Sequence, residues 1–170
     1  DSEGYMSLGI SIDYTKALIE TARFSAVEVN PNVPRVFGDC QVHVSEVDAI
    51  VESEHEIFVL DNPPVTPEDE KIGAFIAERI PNGATIQLGY GATPSAVGLS
   101  LRGHKNLGIH TEMFVDAMRV LMTEGVVDNS RKSINLGKTL YTFAAGIRET
   151  YDFLHENPAI EGHRVEYTND

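Results

Sequence analysis

Two short stretches of this chain carry residue types whose spacing could do chemistry. The first is Gly89-Tyr90-Gly91-Ala92-Thr93-Pro94, which follows the apolar run Ala84–Leu88 and precedes a helix-forming segment. A glycine turn between a strand and a helix exposes backbone N–H groups, and the helix N-terminus adds positive potential. Together they suit a phosphate or a developing oxyanion. A tight strand-to-helix turn also needs glycine for backbone reasons alone, and both readings stay open at this point. The third glycine of the dinucleotide fingerprint would fall at position 94, where Pro94 stands, so the nicotinamide-cofactor reading is weak. The second stretch is Gly108-Ile109-His110-Thr111-Glu112-Met113-Phe114. It puts a carboxylate, Glu112, just after an apolar strand, where open α/β sheets place their ligands. Such a carboxylate can be a nucleophile, a general base or a helix cap, and capping is its ordinary role.

Other chemistries drop out by spacing. Gly137-Lys138-Thr139 resembles the end of a P-loop, but the motif needs glycine where Lys132 stands. Lys138 is then expected to be a solvated strand-edge residue. The His110-x-Glu112 pair suggests a zinc deaminase, whose Cys-x-x-Cys partner is impossible with Cys40 as the single cysteine. The remaining histidines, His43, His55, His104, His155 and His163, show no metal-ligand spacing, so no metal is expected.

The elements that must position these residues follow from periodicity. Asp61-Asn62-Pro63-Pro64-Val65-Thr66-Pro67 holds three prolines, which fix an extended path, and it reads as a linker over 61–67. Before it, Tyr5–Ile10, Phe24–Val29, Val47–Val51 and Ile57–Leu60 read as strands. Asp13 is placed to cap a helix over 14–22, with Leu18, Ile19 and Ala22 on one face. After it, Thr66 caps a helix begun by Pro67, with Glu68, Asp69 and Glu70 at its positive end. Ile72, Phe75, Ile76 and Ile80 have the spacing of its core face. Strands at Ala84–Leu88, Leu107–His110 and Thr139–Ala144 alternate with helices at Pro94–Leu101, Asp116–Thr123 and Arg148–Leu154. That alternation predicts an α/β fold with a parallel sheet.

The 170 residues include 13 basic and 26 acidic ones, a net charge of −13. With no Lys/Arg cluster, neither duplex nucleic acid nor an anionic membrane surface is an expected partner. No run of apolar residues is long enough to span a bilayer. The first residue is Asp1 and no signal peptide follows. The chain reads as a piece of a longer polypeptide, and a cytoplasmic location is expected.

The string Gln87-Leu88-Gly89-Tyr90-Gly91-Ala92-Thr93-Pro94-Ser95-Ala96-Val97 and the string Leu107–Phe114 resemble the acetyl-CoA hydrolase/transferase family, with its 4-hydroxybutyrate (butyryl) CoA-transferases the nearest subgroup. Gly4–Gly9, Val29–Arg35, His43–Asp48 and Tyr167–Asp170 extend the resemblance in order along the chain. It implies a parallel-sheet α/β fold of CoA-transferase type, present as a fragment. Residues 1–60 would end a first domain, 61–67 would link, and 68–170 would begin a second. It implies transfer of coenzyme A between an acyl-CoA, such as acetyl-CoA, butyryl-CoA or 4-hydroxybutyryl-CoA, and a small carboxylic acid. Glu112 would carry a covalent glutamyl-CoA thioester. Gly89, Tyr90, Gly91, Ala92 and Thr93 would line the coenzyme A site. Tyr90 and Thr93 depart from the small aliphatic residues of the pattern, and Ala117 from a glycine, which bears on acyl preference. No metal is needed. Hydrolysis of the acyl-CoA is the alternative activity, a non-catalytic nucleotide-binding module is a third reading, and a homo-oligomer is left open.

Overall fold

A computed structural model describes residues 1–170. Its frame is a parallel sheet built from short strands. Strand β6 (Thr85–Ile86) pairs with β7 (Gly108–Ile109). Beyond it, His110 bridges in parallel to Leu140 of β9 (Thr139–Tyr141). β9 in turn pairs with β11 (Ile160–Gly162), and β11 with β3 (Phe37–Gly38). The same two central chains pair again further on, as β8 (Met113–Phe114) with β10 (Phe143–Ala144). Helices connect these strands: α3 (Ala92–Ser100), α4 (Asp116–Thr123) and α5 (Arg148–Leu154). The parallel α/β alternation expected from the sequence is therefore the architecture.

The edge strand β3 comes from the N-terminal part of the chain. So does the segment Ile10–Asp13, which lies antiparallel to β10: Ala144 N–H donates to Ile10 O at 2.9 Å, and Ile12 N–H to Thr142 O at 2.9 Å. Ile12, Val36 and Cys40 pack in one apolar core with Leu107, Ile109, Phe114, Leu121, Tyr141 and Leu154. The Tyr141 hydroxyl donates to Gly9 O across this seam at 2.8 Å. Away from the sheet, β1 (Tyr5–Ser7) pairs antiparallel with β4 (Gln41–His43), and β2 (Ala26–Val29) pairs parallel with β5 (Ala49–Glu52). Helix α1 (Thr15–Thr21) buries no residue, and Leu18 stays exposed. Asp13 binds Tyr14 N–H at 2.7 Å and the Thr15 hydroxyl, but makes no cap bond to the helix's first-turn amides beyond them.

Helix α2 (Pro67–Ala77) starts where the residues require. Thr66 Oγ1 accepts from Asp69 N–H, and Asp69 reaches back to Thr66 N–H at 3.1 Å, a reciprocal cap. Its inward face differs from expectation. Ile72, Phe75 and Ile76 are exposed, while Gly73 and Ala77 are buried against α3. A Cβ on Gly73 would stand 2.7 Å from the Ala96 carbonyl, so the two helices meet through their smallest residues, closer than a branched side chain permits. The Ile57–Leu60 stretch, expected as a strand, joins no strand ladder, and Leu60 N–H donates to Gly146 O at 3.0 Å.

Candidate active site

Glu112 sits at a break in the sheet. Its carbonyl accepts from both Thr142 N–H and Phe143 N–H at 3.0 Å, so two residues of one strand oppose one of the other. That is a bulge, and it separates β7 from β8 and β9 from β10 at the same level. Glu112 N–H is turned out of the ladder and donates to Gln87 Oε1 at 3.1 Å. Glu112 Oε2 accepts from Asn169 Nδ2 at 3.0 Å. The carboxylate is half-buried, with a neutral amide on one oxygen. Asn169 follows helix α6 (Val165–Thr168), so a C-terminal turn reaches back across the strand end.

Gln87 stands two residues before Gly89, which ties Glu112 to the glycine turn. The backbone N–H groups of Gly89, Tyr90, Gly91, Ala92 and Thr93 donate to no atom of the chain. Gly91 caps α3 at φ 133°, ψ 173°, a region essentially confined to glycine. Gly89 has ordinary φ and nothing within 4 Å of where a Cβ would lie. Five unengaged donors and a nine-residue helix beginning at Ala92 make a set of groups suited to anions. The Tyr90 and Thr93 side chains face elsewhere. Tyr90 donates to Asp61 O at 2.8 Å, fastening the proline segment, and the Thr93 hydroxyl donates to Asp69.

Three buried side chains support the site. Asn129 Oδ1 accepts from Ile109 N–H at 3.0 Å, and its Nδ2 donates to Thr139 Oγ1 at 3.0 Å. Lys132 Nζ donates to Ile109 O at 2.8 Å and to Lys138 O at 2.6 Å. Between them these two side chains bond both the N–H and the carbonyl of Ile109 in β7. Burial lowers the Lys132 ammonium to about 8, against an opposing pull from Glu161. Lys138, by contrast, lies at the surface and binds Pro158 O and Glu161. Asp116, at the start of α4, accepts from Asn62 Nδ2, Ile147 N–H and the Thr150 hydroxyl, joining the proline segment to α4 and α5.

His110 is half-buried, and burial holds its imidazole below the usual histidine range. The Thr168 carbonyl opposes that shift, while Lys132 and His163 add to it. Its Nε2 lies 3.0 Å from Thr168 O. Asn169 and Gln87 were the contacts that sequence reasoning missed. Both lie within strings that carry the family resemblance, but nothing in spacing alone gives either a role.

Residues 1–60 match the Acetyl-CoA hydrolase/transferase N-terminal domain. Over 99% of its length the chain is 45% identical to the succinyl-CoA:cyclohexane-1-carboxylate CoA transferase of Geobacter metallireducens. It is 44% identical over 99% of its length to the 4-hydroxybutyrate coenzyme A transferase of Clostridium kluyveri. The chain spans 39% of the length of each of these curated relatives. The crystal structure of 4-hydroxybutyrate CoA-transferase from Porphyromonas gingivalis superposes on all of it with a TM-score of 0.96 at 38% identity, and 43% of that chain is covered. Bulged parallel sheet and superposition together define an α/β unit of the CoA-transferase fold. Residues 1–60 thus carry the N-terminal domain of the acetyl-CoA hydrolase/transferase family, and the chain as a whole is similar to CoA transferases along its length.

Proposed function

We propose that the polypeptide carrying this chain moves coenzyme A between a short-chain acyl-CoA and a free carboxylate, with Glu112 as the covalent carrier. The observation that carries this reading is the placement of the Glu112 carboxylate. It lies at a bulged strand end, bound by Asn169, with Gln87 linking its backbone to a turn of five unengaged amides.

In this reading the Asn169 amide holds Oε2 and leaves Oε1 of Glu112 to attack the thioester carbonyl. The carbon–sulfur bond breaks and the electron pair leaves with the CoA thiolate, giving an acyl-glutamyl anhydride. The thiolate then attacks the glutamyl carbonyl and expels the acid, forming a glutamyl-CoA thioester. An incoming carboxylate reverses the sequence. Covalent catalysis thus divides one poor exchange into matched steps. Each step passes through an oxyanion, for which fixed backbone donors need no reorganisation, and one such donor is worth about 3–4 kcal/mol. The phosphates and carboxylates involved are anionic despite the acidic chain. Local N–H groups, rather than net charge, decide such a site. Residues 1–60 as the end of one domain and 68–170 as the start of the next is the division that goes with this reading.

Glu112→Gln is nearly isosteric and keeps both hydrogen-bonding positions, so it should preserve folding. It should abolish isotope exchange between acyl-CoA and free acid, and exchange at the wild-type rate would overturn the assignment.

A further inference from the structure

We propose that His110 is a positioning residue, holding the Asn169 amide against Glu112 through the Thr168 carbonyl; this rests on the role given to Glu112 above. His110 lies two residues before Glu112 on the same strand end. Its Nε2 is 3.0 Å from Thr168 O. A carbonyl only accepts, so Nε2 carries the proton and donates. The next residue, Asn169, donates from Nδ2 to Glu112 Oε2 at 3.0 Å. The contacts close a ring: Glu112, His110, Thr168, Asn169 and back to Glu112.

The ring matters because the segment it fixes has little structure of its own. Helix α6 is four residues long, a single turn, which is marginal without tertiary support. Asn169 is exposed, so its own side chain is not locked by packing. Other anchors grip the segment earlier. Arg164 bonds Glu20 and Asp39 at 2.5–2.8 Å, Val165 N–H donates to Asp13 O, and Tyr167 stacks on His163 with ring centres 5.0 Å apart. The Tyr167 hydroxyl donates to Asn135. His110 is the side chain that reaches the segment at Thr168, one residue from the amide in question. Neutral and protonated imidazole both donate from Nε2, so the contact survives titration of the ring.

With Oε2 fixed, the attacking oxygen of Glu112 has one direction. A misplacement of about 1 Å in a reacting group can cost on the order of 100-fold in rate.

The test compares wild type, His110→Ala and His110→Gln in the full natural polypeptide. The Gln amide nitrogen reaches about as far as imidazole Nε2 and restores a donor. Amide hydrogen exchange over residues 163–170 is read beside kcat and KM for acyl-CoA. In the Ala variant, exchange of that segment should rise and kcat should fall by about 10- to 100-fold, with KM within a few-fold of wild type. The Gln variant should recover most of both effects. Unchanged exchange in the Ala variant, full kcat despite raised exchange, or a Gln variant no better than Ala would each overturn the proposal. A wild-type polypeptide with no acyl-CoA exchange at all would instead overturn the reading of Glu112. Segment exchange alone would then decide whether His110 holds the turn.

Discussion

Substituting valine at Gly89 separates a binding role for the glycine turn from a purely structural one. Gly89 does not have a positive φ, and no heavy atom lies within 4 Å of its prospective Cβ. The fold has no steric reason to resist a side chain there. Removing a glycine's freedom in the unfolded chain stabilises by about 0.4–1 kcal/mol when the native angles are compatible. The melting temperature of Gly89→Val should therefore be unchanged or slightly raised. The neighbouring Gly91 behaves oppositely. At φ 133°, ψ 173° a side chain is strained, with a cost of about 1–3 kcal/mol, so Gly91→Val should melt several degrees lower. If the turn receives coenzyme A or the oxyanion, the two methyls at Gly89 occupy the approach to its amides. Losing one donor of that kind costs about 100- to 1000-fold in kcat. The assay is a thermal melt and acyl-CoA exchange on the same preparation of the full natural polypeptide. Gly89→Val with unchanged kcat and KM would refute the ligand role. Gly89→Val that melts as early as Gly91→Val would refute the reasoning from open space.

Two further outcomes follow from buried groups. Asp116→Ala leaves Ile147 N–H, the Thr150 hydroxyl and the Asn62 amide without their acceptor. Thr150 is buried and Ile147 half-buried, while Asn62 is exposed and can turn to water; at about 1–3 kcal/mol for a buried group left unpaired, a loss of roughly 1–3 kcal/mol in urea unfolding is expected, and a loss under about 0.5 kcal/mol would show that water replaces the carboxylate. Lys132 has a folded-state value of about 8 against the ordinary 10.5, so between these values the unfolded chain binds the extra proton. Stability should therefore rise with pH through the window of about 8 to 10.5 by this group's contribution. The difference between wild type and Lys132→Met in unfolding free energy should track that rise, and a difference flat across the window would contradict it.

The sheet frame was legible where local signals and packing agree. Asp116–Thr123 and Arg148–Leu154 are helices over the spans their patterns predict, and Thr66-Pro67 starts α2 through its own cap. Strand ends were less legible. Ala84–Leu88 reads as one strand, yet only Thr85–Ile86 pairs, because β6 has a neighbour on one side and that neighbour is two residues long. The Thr139–Ala144 run is split by the bulge opposite Glu112, whose cause is a carbonyl on another strand. Periodicity also chose the wrong face of α2. Ile72, Phe75 and Ile76 have the stronger apolar spacing, but close approach to α3 selects Gly73 and Ala77, which no hydrophobic scale marks. In the site, Glu112 and the glycine turn stand out by type and position, whereas Asn169 acts across 57 residues of sequence. Only the folded chain supplies that proximity.

The central claim is that Glu112 becomes joined to coenzyme A as a glutamyl thioester, and trapping tests it most directly. The full natural polypeptide is incubated with an acyl-CoA, reduced with borohydride, digested and sequenced by mass spectrometry. The account predicts that the peptide containing Glu112 carries a side-chain alcohol in place of its carboxylate, and that omitting acyl-CoA abolishes it. An unmodified Glu112 peptide under conditions of active exchange, or the alcohol on a different carboxylate, would contradict it.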